Sequence, residues 1–242
     1  MGQRHQFFLR VKNPLKLNIF SRDDNKRAKE IFGKNKYTIL GFHHQWLYGR
    51  SAAVNIINML NYTDKDIMSE YHNPFGEQFH AYDTSLDYYI KKLVAMVSLQ
   101  TSPLHPRGIG YENVCFLNLE EDWVLTEFDS GDNNDGITII DTITRKYCMM
   151  NIYEQDLDEW KIYTLPEMKP VSAMDYMKAY YPETVETFRD DDLSEEKILE
   201  CIEENIKDNL EIDTEIKRIS RGVLTEKQIS KIFPKYYKKS VV

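Results

Sequence analysis

The sequence predicts an α+β protein: a mixed or antiparallel sheet with flanking helices and a helical C-terminal part. Three observations carry this. Strand-like alternation opens the chain in RHQFFLRV and returns in YTILGFHHQW. Between about residues 113 and 152 the apolar runs are short and bounded by turn residues, as in strands. From about residue 172 onward, helix caps precede apolar residues at helical spacing.

The elements follow in order. In the first strand, His5, Phe7, Leu9 and Val11 alternate with Arg4, Gln6, Phe8 and Arg10. SRDDNKRAKEIFGKNK is a short helix or a loop that ends at Gly33. The second strand is YTILGFHHQW, and Ser51 is expected to cap a helix over SAAVNIINMLNY after a break at Gly49. A short helix after Thr63 and a stronger one in TSLDYYIKKLVAMVSLQ come next; in the latter, Leu86, Ile90, Leu93 and Val97 share one face. NVCFLNL, DWVLTEF, GITIIDTI and KYCMMNI read as four strands of an antiparallel meander, with DSGDNNDG as a hairpin turn. Ser172 caps AMDYMKAYY and Ser194 caps LSEEKILECIEENI. Thr225 and Gln228 are placed for a capping box on LTEKQISKIF. The organisation is therefore an α+β body over residues 1–168 followed by a helical segment over 169–242.

With 42% hydrophobic and 29% charged residues, the composition is that of a folded globular chain. No apolar run approaches the roughly 18–20 residues that span a bilayer. The start, MGQRHQFFLR, has no apolar stretch of the secretory kind, and Gln6 stands where N-myristoylation needs Ser or Thr. The three cysteines, Cys115, Cys148 and Cys201, form no CxxC pair, which points away from disulfides and zinc ribbons and toward a reducing compartment, the cytoplasm. No membrane partner is expected.

The net charge of −8 is unevenly spread: residues 1–60 carry 11 basic and 3 acidic groups, whereas residues 182–215 carry 3 and 14. The overall sign argues against a nucleic-acid duplex as partner, because most of the surface would repel it. The basic N-terminal part still allows one face that attracts a small anion.

That part holds the candidate site. RHQFF and HHQWL each place His-Gln before an aromatic residue. If the two strands are neighbours, Arg4, His5, Gln6, His43, His44, Gln45, Trp46 and Arg50 are candidates to line one pocket. Arg and protonated His give charge-assisted bonds to oxyanions, Gln reads amide-like base edges, and Trp offers a stacking face. Alternation sends His43 and His44 to opposite sides of their strand, so they cannot both serve one site.

Other chemistries find little purchase. His72, His80 and His105 have no metal-ligand spacing, there is no HExxH and no P-loop, and PRGIGY is a loop rather than a dinucleotide fingerprint. An EF-hand frame on Gly136 puts Gly131 first and Thr142 twelfth, where acidic ligands belong. Asp129 and Asp141 could pair across the hairpin, but nothing else supports a metal site, and no cofactor is implied. GxSxG is absent.

GQRHQ directly after Met1, HHQWLYG at 43–49 and NNDGITIID at 133–141 together resemble an uncharacterised family found in phage and other viral genomes. The resemblance covers most of residues 1–150 and brings no activity with it. It implies the host cytoplasm as the setting, and counter-defence as the role of a pocket of this kind.

Three readings result. In the first, the protein binds and sequesters a small anionic, nucleotide-type ligand, a sponge for a host immune signal. The second makes the same pocket a nucleotide hydrolase with His44 or His43 as general acid or base. The third is a protein-interaction module that uses acidic helices bearing Glu195, Glu196 and Glu203. The balance lies with binding over turnover. Abundant Tyr and Phe also suit a homo-oligomer interface.

Overall fold

The computed structural model describes residues 4–17, 22–45, 47–61, 86, 114–117, 136–150, 169–185 and 193–233. Strand β1 (Arg4–Lys12) leads through a 3-10 turn (Pro14–Leu17) into helix α1 (Arg22–Phe32), then strand β2 (Tyr37–Gln45) and helix α2 (Gly49–Asn61). Strands β3 (Val114–Leu117), β4 (Ile137–Asp141) and β5 (Lys146–Met150) follow. Helices α3 (Ala173–Tyr180), α4 (Glu195–Ile219) and α5 (Glu226–Ile232) come last. The architecture is α+β, as the sequence predicts.

The five strands form one mixed sheet in the order β3-β2-β1-β4-β5. β1 pairs antiparallel with β2 on one side and parallel with β4 on the other. This corrects the expected meander. β3 lies against β2, away from β4, and among the described strands only β4 and β5 form a hairpin. The reason is burial: every residue of β4 is buried, so it needs cover on both faces and a neighbour on each edge. DWVLTEF, the DSGDNNDG turn up to Asp135, the helix after Thr63 and most of TSLDYYIKKLVAMVSLQ lie outside the described residues. Within the last, Leu86 is helical and fully buried.

Alternation along β1 divides the core into two layers. Phe7, Leu9 and Val11 join Leu40, Phe42, Ile140 and Met149 on one face, under residues of α1, α2, α3 and α4. Phe8 joins Ile137, Ile139, Cys148 and Met150 on the other, under Leu224, Ile229 and Phe233 from α5 and its flanks. The helical segment after residue 169 therefore closes both faces of the sheet. Tyr176, Met177, Ile212, Ile216 and Ile219 sit in the same cluster as Phe7.

The ends of the elements are set by local chemistry. α1 stops at Gly33, which takes φ +64° as a helix-terminating glycine does. Ser172 caps α3 through its Oγ, which accepts from the Asp175 N–H at 3.1 Å. Gln228 Oε1 accepts from the Thr225 N–H at 3.0 Å at the start of α5. α2 departs from expectation: it begins at Gly49, two residues before Ser51, which is not its cap. Gly49 takes φ +52°, and a Cβ there would lie 2.7 Å from the Tyr181 hydroxyl oxygen. That close approach lets the chain turn directly from β2 into the helix.

Candidate functional site

The two motif-bearing strands are neighbours. Arg4 stands opposite Gln45, His5 opposite His44, and Gln6 opposite His43 in the antiparallel register. The side chains of Arg4, His43 and Gln45, and all of Trp46, lie outside the described residues. The other four candidates do not share one face: His5 and His44 lie on one side of the sheet, Gln6 on the other, and Arg50 at the start of α2. Opposed residues of an antiparallel pair share a face and successive residues do not, so the register itself separates them.

His5 and His44 go to the face of Phe7, under α2, α3 and α4, and are fully buried. The ring of His44 meets Phe7 edge-on with 6.2 Å between centroids. His5 Nε2 lies 2.7 Å from the Thr138 Oγ1 of β4, and Nδ1 lies 3.5 Å from the Tyr176 hydroxyl of α3. A histidine flanked by two hydroxyls in an apolar layer has its polar atoms satisfied inside the core. The aromatic contacts continue from Tyr176 to Tyr180 at 5.0 Å and from Tyr180 to Tyr48 at 6.0 Å.

Arg50 goes elsewhere again. It sits in the first turn of α2 and points at α4, donating from Nε to Asn209 Oδ1 at 3.0 Å. Its Nη2 donates to Asn205 Oδ1 at 2.9 Å and to the Asn205 carbonyl at 3.1 Å. Nη1 stands 3.3 Å from Asp208 Oδ2, and the guanidinium lies over the Tyr181 ring at 3.9 Å. Burial pushes the Tyr181 phenol up, and the neighbouring Arg50 opposes that shift. With this many partners Arg50 is a clamp between helices. The sequence held one sign of it: Asn205 and Asn209, four residues apart, fall on one face of a helix whose buried row is isoleucine apart from Asn209 and Asp213. Tyr176, Thr138 and Tyr181 had no such sign.

Gln6 occupies the opposite face from His5. It is fully buried, and among the described residues neither its amide oxygen nor its amide nitrogen has a hydrogen-bond partner. On the β2 side the register positions around it belong to Arg4, His43 and Gln45, and on the β4 side Ile137 stands opposite it.

Asp141 is a structural carboxylate. It accepts from Arg10 Nη1 at 2.9 Å, from the Thr144 hydroxyl at 2.8 Å and from the Ile143 N–H at 3.1 Å, closing the turn between β4 and β5. Arg10 also lies over the Tyr37 ring at 4.6 Å. Among the described residues no group of three or more His, Cys, Asp or Glu side chains is placed to hold a metal ion. No helix among them is long and apolar enough to cross a membrane.

Comparison with family models finds no match for this chain, and comparisons with curated proteins and with solved structures find none either.

Proposed function

We propose that the paired ends of β1 and β2 bind a small anionic ligand of nucleotide type and hold it without turnover. Gln6 carries this reading. A buried amide with both ends unbonded is destabilising by roughly 1–3 kcal/mol. A ligand that presents a donor and an acceptor side by side, as a nucleobase edge does, would recover that loss. Arg4 and His43, beside Gln6 in register, are the residue types that suit the anionic part. Taken with the resemblance of the GQRHQ and HHQWLYG motifs to viral chains, the ligand is a host nucleotide signal and the role is sequestration in the host cytoplasm. The hydrolase alternative needs an imidazole at the reacting bond. His44 lies with Phe7 on the face away from Gln6, whereas His43 stands opposite Gln6, so whether the bound nucleotide stays intact separates the two readings.

The test is direct. The purified protein is incubated with cyclic nucleotides and ADP-ribose derivatives, washed and heat-denatured, and the supernatant is read by mass spectrometry. An intact nucleotide should be released, and at about a hundred times its dissociation constant it should stabilise the fold by about 2.7 kcal/mol. Gln6→Leu should fold normally and lose the ligand. Release of nothing from the native protein, or equal retention by Gln6→Leu, overturns the reading. Release of a cleaved product would favour the hydrolase.

A further inference from the structure

The outer face of α4 carries an apolar row that the fold does not cover. Leu199, Ile206 and Leu210 are 47%, 42% and 55% exposed, although Ile202, Ile212, Ile216 and Ile219 of the same helix are buried. Their spacing of seven and then four residues places them on one line, about 16 Å long at 1.5 Å per residue. A single exposed leucine is ordinary, but three in register along one helix form a continuous strip. Glu203 interrupts the row, and exposed Glu196, Glu200, Glu204 and Glu211 flank it on the side away from the core. Over residues 195–211 the helix carries seven acidic and two basic side chains.

We infer that this strip docks a basic amphipathic helix of a protein partner. Three apolar residues at helical spacing accept a matching row from a second helix, as in helix-in-groove recognition. The charge decides which helix. Two copies of α4 laid against each other would oppose one acidic margin to another, so a second copy of this chain is disfavoured on that face. A partner with Leu or Ile in the centre and Lys or Arg at the edges meets both features at once, with the charged margin adding speed and specificity of encounter. The surface is independent of Gln6, which lies on the sheet.

The test uses the full chain and two synthetic helical peptides of about 20 residues. One has leucines at positions i, i+4, i+7 and i+11 flanked by lysine and arginine; its twin has glutamate at each basic position. Binding is followed by fluorescence anisotropy at low and high salt, with sedimentation of the chain alone in parallel. The basic peptide should bind and weaken at high salt, and the acidic twin should not bind. Ile206→Ser with Leu210→Ser should weaken the basic peptide by about tenfold or more, as should Glu200→Lys, Glu203→Lys and Glu204→Lys together. All of these side chains are exposed, so unchanged thermal unfolding should show that the fold survives. Absence of binding by the basic peptide, or equal binding by both variants, overturns the proposal. So does a dimer of the native chain that Ile206→Ser with Leu210→Ser dissolves, since the occupant would then be a second copy.

Discussion

The guanidinium of Arg50 lies over the ring of Tyr181, 3.9 Å from its centre, while its nitrogens reach three residues of α4. Arg50 is 8% exposed, so the stack and the bonds act away from bulk water. They fasten the start of α2 to α4, and Asn205 in turn donates to the Pro182 carbonyl at 2.9 Å just beyond α3. Three helices meet at one side chain.

Arg50→Ala should therefore lower stability by about 2–4 kcal/mol, since it removes the stack and leaves Asn205 and Asn209 short of a partner. Arg50→Lys should recover little of this, because an ammonium has neither the plane nor the fork. Urea unfolding of the three proteins measures it; a lysine variant as stable as the native chain would contradict the clamp.

Asn13 holds the turn between α1 and β2. Its Nδ2 donates to the carbonyls of Phe32, Gly33 and Asn35 at 3.0, 3.1 and 2.9 Å, and its Oδ1 accepts from the Leu15 N–H at 3.0 Å. Asn13→Asp changes one atom yet sets a carboxylate oxygen against three carbonyls. A loss of roughly 3 kcal/mol is expected, larger than for Asn13→Ala, which leaves the carbonyls unpaired without opposing them.

Two glycines separate backbone strain from contact. Gly136 and Gly222 take similar φ values, +109° and +99°, but a Cβ at Gly136 would lie 2.5 Å from the Met150 carbonyl oxygen, whereas at Gly222 nothing is within 4 Å. Both alanine variants carry the backbone penalty, on the order of 1–3 kcal/mol. Only Gly136→Ala must also move β5, so its melting temperature should fall well below that of Gly222→Ala. Equal effects would mean that the hairpin yields freely.

Burial in the α5 layer raises the Cys148 thiol well above its ordinary range, and the Tyr147 phenol is also pushed up, again chiefly by burial. In both cases the folded chain favours the protonated form. The resulting stability is complete below the unfolded-state pKa, about 8.5 for a thiol, and is lost as pH rises above it toward the folded value. Unfolding free energy should fall between about pH 9 and 11, and Cys148→Ala should make that decline shallower. A thiol reagent near neutral pH should leave Cys148 untouched in the native state, since burial disfavours its thiolate.

Much of the fold was legible because its signals are local. The alternation of His5, Phe7, Leu9 and Val11 marks a strand whatever it pairs with, and Ser172, Ser194 and Thr225 cap α3, α4 and α5 where the sequence places them. The echo between RHQFF and HHQWL was likewise enough to suggest that the two strands pair, and they do. What local signals could not supply was the neighbour on the far side of β1. Its parallel pairing with β4 joins residues more than 130 positions apart, as from His5 to Thr138, and no periodicity encodes a partner at that distance.

The candidate site divides in the same way. The residue types came from the sequence, and so did the certainty that adjacent histidines face opposite ways, because a strand's pleat depends on the backbone alone. Which way each face looks was decided by packing. Helices α2, α3 and α4 bury the side that carries His5 and His44, and α4 draws Arg50 away to Asn205 and Asn209. Chain entropy and apolar burial select those docking geometries over the whole molecule at once, so a polar residue's role emerges only when the helices above it are in place.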